Sequence, residues 1–210
     1  MKVSIGSKIV KGPWGGGNLF AINLSSYLTK KGHQVVYDLT DKDIDLILLT
    51  DPRSRRESSS TFNHKDIKQY KKICGQNHLK VIIGAGDLGT LRNVVKASWV
   101  SMMAGADFIK TSTGKEPTNA TLPVSLVMIR AIRDFYDLTG KKIGFKAAGG
   151  ISKSKQAINY LILMREELDN DWLNKNLFRI GASSLLADVE RQLEHHSTGS
   201  YSADNRHPIV

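Results

Sequence analysis

The sequence predicts an α/β fold made of parallel βα units. Short apolar runs typical of buried strands alternate along the chain with amphipathic stretches typical of helices. Strands that alternate with helices build a parallel sheet, and the ligands of such folds bind at the carboxyl ends of the strands. Chemistry is therefore expected just after each strand. The seven predicted strands are Lys2 to Gly6, Gln34 to Asp38, Leu46 to Asp51, Leu79 to Ile83, Asp107 to Thr111, Lys142 to Lys146 and Leu177 to Gly181.

A long amphipathic stretch predicts a helix from Val124 to Leu138. Its apolar residues recur every three or four positions, so one face of the helix is expected to be buried. Gly140 follows at the point where a glycine commonly ends a helix. The apolar positions are Val124, Val127, Met128, Ala131, Ile132, Phe135 and Leu138.

A polar stretch from Asp51 to Thr61, rich in serine and arginine, interrupts the alternation. Its composition is typical of an exposed loop. The predicted domains are therefore a first βα segment over residues 1–64, a junction over residues 65–78 and a second segment over residues 79–210. We expect the seven strands to share one α/β unit, with an open sheet in the first half and barrel-like curvature in the second. The pattern leaves open whether the strands close into a barrel.

Composition and charge limit the classes of function. The chain has 210 residues, with 30 Lys+Arg against 20 Asp+Glu and a net charge of +10. This charge favours polyanions in general, but no aromatic platform or recognition helix accompanies it, so we expect no specific nucleic-acid partner. The apolar run Leu46 to Leu49 is far shorter than the roughly 20 residues that span a membrane, and no export signal is visible. One cysteine, Cys74, suits a cytoplasmic protein.

A glycine motif follows the fourth predicted strand. Gly84 to Gly89 matches the G-x-G-x-x-G pattern of dinucleotide-binding turns. That fingerprint also needs an acidic residue at the end of the next strand, and Asp107 instead opens its strand. The match is therefore weak, and a tight turn with close helix packing is the alternative.

Two lysines lie near the carboxyl ends of neighbouring predicted strands. Strand alternation places Lys110 on the same face as Phe108, and Lys146 ends the following strand. Burying an ammonium group costs several kcal/mol unless the group is paired or loses its proton. Two adjacent lysines should bring the pKa of one of them down from about 10.4. A neutral amine attacks carbonyl carbons, so the pair predicts an imine-forming site; the alternative is two lysines whose ends reach solvent.

Small residues after the last three predicted strands indicate an anion site. Backbone N–H groups can approach a ligand there, and a helix that begins near Leu185 adds partial positive charge. For either serine alone, a helix N-cap is the alternative. The candidate phosphate-binding residues are Gly114, Lys115, Gly149, Gly150, Gly181, Ser183 and Ser184.

The second segment resembles class I deoxyribose-phosphate aldolases from Leu79 to about Val210. The resemblance rests on Leu79-Lys80-Val81-Ile82-Ile83, Phe108 to Lys115, Gly144-Phe145-Lys146 and Arg179 to Ser184, in that order. It implies a TIM barrel, no metal or other cofactor, and a small sugar-phosphate substrate. The implied reaction is the reversible cleavage of 2-deoxy-D-ribose 5-phosphate to acetaldehyde and D-glyceraldehyde 3-phosphate. A homo-oligomer is compatible with the sequence.

The same resemblance implies roles for individual residues. Lys110 would be the Schiff-base lysine and Lys146 the second lysine, which lowers its pKa. The phosphate would be held by the candidate anion-site residues named above. Two positions depart from the family pattern, with Ala85 in place of threonine and Ala147 in place of proline. The resemblance covers about the last four of eight barrel strands, and the family's catalytic aspartate is not found.

The first segment, Met1 to about His64, resembles the start of a GT-B glycosyltransferase. The residues concerned are Lys2 to Ile5, the glycine loop Gly12 to Asn18, and Leu48 to Pro52. The resemblance implies a Rossmann-like first half, whose glycine loop would lie near a donor or acceptor. Three hypotheses therefore stand: a Schiff-base aldolase, a catalytically silent α/β protein that binds phosphate, and a glycosyltransferase-like binder of nucleotide sugars.

Overall fold

A computed structural model describes residues 2–5, 25–37, 46–48, 64–114, 116 and 118–203. The chain divides into two compact units, Met1–His78 and Leu79–Val210. Every predicted strand overlaps an observed one, and all observed strand pairs are parallel. The prediction of an α/β fold built from parallel βα units is confirmed.

The first unit contains a three-stranded sheet. Its strands are β1 (Lys2–Ile5), β2 (Gln34–Val36) and β3 (Leu46–Leu48), in the order β2-β1-β3. Residues 25–30 are helical, and helix α1 spans His64–Cys74. A first strand flanked on both sides by later strands is the order found in open, doubly wound sheets.

The second unit contains a four-stranded sheet with helices between the strands. The order β4-β5-β6-β7 follows the chain, as in a βα barrel, where each strand lies beside its predecessor. A short 3-10 turn, Asn170–Trp172, precedes the last strand. The elements are β4 (Lys80–Ile82), α2 (Leu91–Met103), β5 (Phe108–Lys110), α3 (Leu122–Thr139), β6 (Gly144–Ala148), α4 (Ser154–Leu168), β7 (Phe178–Gly181) and α5 (Leu185–Thr198).

The expectation that all seven strands share one α/β unit is wrong. In the part of the chain that the structure describes, the strands form two separate sheets in two units. The physical reason is that the βα alternation specifies parallel strands locally, whereas strand pairing depends on long-range contacts that periodicity does not encode.

The predicted helix Val124 to Leu138 is confirmed as α3, with defined ends. Thr121 caps its start, because its Oγ1 accepts a hydrogen bond from the N–H of Val124 at 3.3 Å. Gly140 ends it in the left-handed conformation, with φ of 68°. The predicted buried face is largely observed. Leu138 is the exception: it is 76% exposed, so its predicted burial is wrong.

Each helix from α2 to α5 contacts the next one along the chain. Trp99 of α2 meets Phe135 of α3 edge to face at 5.6 Å. Glu167 of α4 receives hydrogen bonds from two arginines of α3. Asp188 of α5 accepts hydrogen bonds from both the N–H and the hydroxyl of Ser154 in α4, at 2.7 Å each. These contacts lower the pKa of Asp188 to about 2.

One face of the four-stranded sheet forms the core with these helices. Ile109, Phe145 and Ala147 are fully buried on that face, and Phe178 stacks on Phe145 at 6.5 Å. Strand alternation turns the intervening residues to the opposite face. We call this opposite face of β4 to β7 the inner face, because it corresponds to the inside of a βα barrel. No helix in the described part of the chain is long and apolar enough to cross a membrane.

Candidate active site

The inner face brings the two predicted lysines together. In the sheet register, Lys110 of β5 pairs with Lys146 of β6, and Lys146 pairs with Arg179 of β7. On the other side, Lys110 pairs with Ile82 of β4. Register partners on adjacent strands project from the same face, so both lysines are neighbours near the carboxyl ends of their strands. Both are half-buried.

Burial and neighbouring charges on the inner face lower the pKa values of Lys110 and Lys80. The pKa of Lys110 is lowered from its usual value, first by burial and then by the charge of Lys146, while Glu116 acts in the opposite direction. The pKa of Lys80 falls to about 8 through burial and the charges of Lys146, Arg179 and Lys110. Four cations lie on the inner face, and none of them forms an ion pair within the described residues. They are Lys80, Lys110, Lys146 and Arg179. Unpaired cations that lie close together favour the neutral form of Lys110 and Lys80, and they attract anions.

Gly144 leaves room for the ring of Phe108 on the inner face. A Cβ at Gly144 would overlap the ring of Phe108, so the ring lies over this glycine. The guanidinium of Arg179 in turn lies over the Phe108 ring, 4.6 Å from its centroid, which is within the range of a cation–π contact. The Nε of Arg179 also donates to the carbonyl of Lys175 at 3.0 Å. These contacts hold Arg179 above Phe108.

Hydrogen bonds join the carboxyl ends of β5 and β6. Thr111 Oγ1 accepts from the N–H of Ala148 at 3.0 Å, and Ser112 Oγ donates to the carbonyl of Ala148 at 2.7 Å. Since Thr111 directly follows Lys110 and Ala148 lies two residues after Lys146, these bonds fix the relative position of the two lysines.

Four of the predicted anion-site glycines lie together beyond these strand ends. A Cβ built on Gly114 would be 3.8 Å from the Cα of Gly149, and the N–H of Gly149 donates to the carbonyl of Gly181 at 3.4 Å. Gly150 follows directly and has φ of 80°, a conformation that favours glycine. Three loops therefore converge, as a phosphate cradle requires.

The other three anion-site candidates are Ser183, Ser184 and Lys115, and the structure describes the first two. Ser183 is exposed after β7. Ser184 is the residue before α5, but its side chain makes no capping hydrogen bond, so the alternative role of side-chain N-cap is not observed for Ser184. Lys115 lies outside the described residues.

Asn119 links the loops and was not singled out by the sequence. Its Oδ1 accepts from Ser112 at 2.9 Å, and its Nδ2 donates to the carbonyl of Glu116 at 2.7 Å. A Cβ at Gly149 would lie 2.6 Å from the Cβ of Asn119. Asn119 therefore requires glycine at position 149 and holds the β5 and β6 loops against each other. Its contact with Gly149 joins two loops that are distant in sequence, so no local pattern predicts it.

Lys80 was also missed, although a signal for it existed. It lies in β4 between the buried residues Leu79 and Val81, and the alternation that assigned Lys110 to the inner face places Lys80 there as well.

The glycine motif of residues 84–89 is explained by packing. A Cβ at Gly86 would overlap the carbonyl oxygen of Thr118, so this glycine permits close contact between two loops. Asp107 accepts a hydrogen bond from the N–H of Leu79 at 2.8 Å, which fixes the start of β5. Both observations favour the tight-turn alternative over a dinucleotide site. No group of three or more potential metal-ligating side chains occurs among residues that the structure describes.

The four parallel strands in chain order, with helices between them, give the second unit the arrangement of βα-barrel proteins. The DeoC/LacD family aldolase model matches residues 40–186. The chain belongs to this family of aldolases. The family match starts well before Leu79, where the resemblance noted in the sequence begins.

Curated relatives agree with this family, and a solved structure agrees with the fold. Deoxyribose-phosphate aldolases from Homo sapiens and Mus musculus are both 58% identical over 146 residues, covering 70% of this chain and 46% of each relative. The chain thus spans about half the length of these relatives. A Toxoplasma gondii structure assigned as a deoxyribose-phosphate aldolase matches with a TM-score of 0.58 and 20% identity, over 90% of this chain and 70% of that chain. That likeness supports the fold.

The glycosyltransferase resemblance of the first segment is not addressed by these relatives. Its glycine loop, residues 12–18, lies outside the described part of the chain.

Proposed function

We propose that the protein is a Schiff-base aldolase that reversibly cleaves 2-deoxy-D-ribose 5-phosphate to acetaldehyde and D-glyceraldehyde 3-phosphate. The observation that carries this proposal is the register pairing of Lys110 with Lys146 at the carboxyl ends of β5 and β6. Family membership and the named activity of the human relative support the substrate.

The proposed reaction starts at Lys110. Its neutral amine attacks the aldehyde carbon of the open-chain sugar, and loss of water gives an imine. Removal of the proton from the C3 hydroxyl then breaks the C2–C3 bond, releases glyceraldehyde 3-phosphate and leaves an enamine on Lys110. Protonation of the enamine and hydrolysis release acetaldehyde and restore the amine. Lys146 favours the neutral amine by adding positive charge beside it.

Proton transfer during carbon–carbon cleavage requires a general acid/base. The family's aspartate is not recognisable in this sequence. Asp38, Asp45 and Asp51 could replace it only by chance of geometry, and all three lie outside the described residues. We therefore expect imine formation to be efficient and carbon–carbon cleavage to be slow.

The direct test of the proposal is an assay of 2-deoxy-D-ribose 5-phosphate cleavage, with acetaldehyde and glyceraldehyde 3-phosphate both quantified. We expect slow product formation in the wild type and none above background in Lys110→Leu. Equal rates in the two proteins would contradict the role of Lys110. Fast cleavage by the wild type would show that another group replaces the missing aspartate.

The proposed phosphate site comprises Gly114, Lys115, Gly149, Gly150, Gly181, Ser183 and Ser184. We expect Gly150→Asp to weaken binding of inorganic phosphate at least about tenfold, because a carboxylate would repel the anion at close range. Calorimetric titration measures the effect.

Gly140→Asp provides the matched control. Gly140 also has a positive φ, 68° against 80° for Gly150, and nothing lies within 4 Å of a Cβ at either position. The two variants therefore introduce similar backbone strain and the same charge, but Gly140 ends α3, away from the carboxyl ends of the strands. Equal phosphate affinity in wild type and Gly150→Asp would remove the assignment.

A second candidate function concerns the first unit. Its β2-β1-β3 order is that of a Rossmann-like sheet and supports the proposal that this unit binds a nucleotide sugar. A ligand that binds the folded state raises the melting temperature. A rise with a nucleotide sugar but none with 2-deoxy-D-ribose 5-phosphate would favour this function over the aldolase; a rise with neither would contradict both binding proposals.

A further inference from the structure

Lys80 is an exposed amine on the inner face that the aldolase mechanism does not use. It lies in β4, two residues before Ile82, and Ile82 is the register partner of Lys110. Strand alternation therefore directs Lys80 to the same face as Lys110, nearer the amino end of the sheet. Its neighbours Leu79 and Val81 are buried on the opposite face, so the direction of Lys80 is fixed by the core.

The surroundings of Lys80 are cationic and partly aromatic. Its register partner is Phe108, whose ring lies over Gly144 and under the guanidinium of Arg179. Arg179 therefore reaches from β7 across β6 to a side chain of β5, toward Lys80. After burial, the charges acting most strongly on Lys80 are those of Lys146 and Arg179, followed by that of Lys110.

A structural lysine among these cations would be expected to have a carboxylate partner, because neighbouring like charges disfavour an ammonium group. No ion pair to Lys80 is present among the residues that the structure describes. Within the described residues, the strand arrangement thus places an accessible amine near the cations Lys146 and Arg179, with no acidic residue paired to it.

We propose that Lys80 is a second imine-forming amine, in a subsite that selects aldehydes carrying a negatively charged group. The amine nitrogen would attack the aldehyde carbon, the carbonyl oxygen would take up protons and leave as water, and the nitrogen would lose its two protons to form the C=N bond. The cations of Lys146 and Arg179 would attract the anionic group of the same molecule. This chemistry goes beyond the aldolase reaction and does not depend on Lys110.

The lowered basicity of Lys80 supports the proposal. With a pKa of about 8, roughly one amine in ten is neutral at pH 7, whereas an ordinary lysine is neutral in only about one molecule in 3,000. Because neutral amines are less nucleophilic when their pKa is lower, the expected advantage in imine formation is smaller, on the order of tenfold to a hundredfold.

Two small aldehydes of different charge test the proposal. Glyoxylate carries a carboxylate, and acetaldehyde is uncharged. Each is incubated with the protein at pH 7 in the presence of borohydride, which reduces the imine to a stable secondary amine. Adducts are then mapped by mass spectrometry. Lys96 of α2 is exposed and serves in the same digest as an internal reference for the intrinsic reactivity of each probe.

We expect Lys80 to be labelled at least about tenfold more than Lys96 with glyoxylate, and the Lys80 to Lys96 ratio to be several-fold lower with acetaldehyde. Because the charge of Arg179 also lowers the pKa of Lys80, Arg179→Met should reduce labelling of Lys80 with both probes, and it should reduce labelling with glyoxylate more than labelling with acetaldehyde. Labelling of Lys80 no higher than that of Lys96 with both probes would overturn the proposal. Equal ratios for the two probes would overturn the anionic subsite.

The same measurements in Lys110→Leu separate this proposal from the aldolase function. Lys80 should still be labelled there, because its imine does not need Lys110. A wild type that is labelled on Lys80 but not on Lys110 would contradict the aldolase mechanism alone. A wild type labelled on Lys110 but not on Lys80 would contradict this inference alone. Because mass spectrometry resolves both sites, the wild type gives a result even if the variant does not fold.

Discussion

Replacing Lys146 by leucine should reduce the yield of borohydride-trapped imine on Lys110 at pH 7 severalfold. The charge of Lys146 lowers the pKa of Lys110, so removing that charge raises this pKa. Each unit of increase makes the neutral fraction of the amine about tenfold smaller at a pH below the pKa. The midpoint of the yield against pH should therefore move upward in Lys146→Leu.

Lys146→Arg is the matched control for this experiment. It keeps a positive charge at the register position beside Lys110, so the midpoint should remain closer to that of the wild type. A yield in Lys146→Leu equal to the wild type, with an unchanged midpoint, would show that Lys146 does not control the amine of Lys110.

Replacing Phe145 by alanine should destabilise the second unit by about 3 to 5 kcal/mol, because the change removes a fully buried aromatic side chain and leaves a cavity. Phe145 is 0% exposed and stacks on Phe178. Chemical denaturation followed by tryptophan fluorescence measures the effect, since Trp99 and Trp172 both report on this unit.

Leu138→Ala serves as the control for that variant. Leu138 belongs to the same unit but is 76% exposed, and exposed positions usually change stability by less than about 0.5 kcal/mol. Equal denaturation midpoints for Phe145→Ala and the wild type would contradict the described core.

Local sequence patterns predicted the positions of the strands and of helix α3 better than they predicted how the strands pair into sheets. Short apolar runs located the seven strands that the structure describes, and the spacing of apolar residues together with Gly140 located α3. Leu138 was assigned to the buried face because it continues the helical period, but periodicity does not show where the neighbouring elements end. The division into two sheets was likewise missed, because strand pairing depends on contacts distant in sequence.

The same distinction holds for the candidate site. Lys110 and Lys146 could be paired in advance because side chains alternate along a strand and parallel strands end at one edge of the sheet. The same alternation places Lys80 on the inner face. The sequence prediction did not include Lys80, because it considered only the glycine motif that follows this strand. Asn119 could not be found from sequence, since its role depends on Gly149, which lies on another loop.

Mapping the acetaldehyde adduct on the wild-type protein tests the central claim most directly. The protein is incubated with acetaldehyde and borohydride at pH 7, digested and analysed by mass spectrometry, with every lysine of the digest scored. The account predicts an adduct on Lys110 in clear excess over exposed lysines such as Lys96. No adduct on Lys110, or labelling of Lys110 at the level of Lys96, would contradict it.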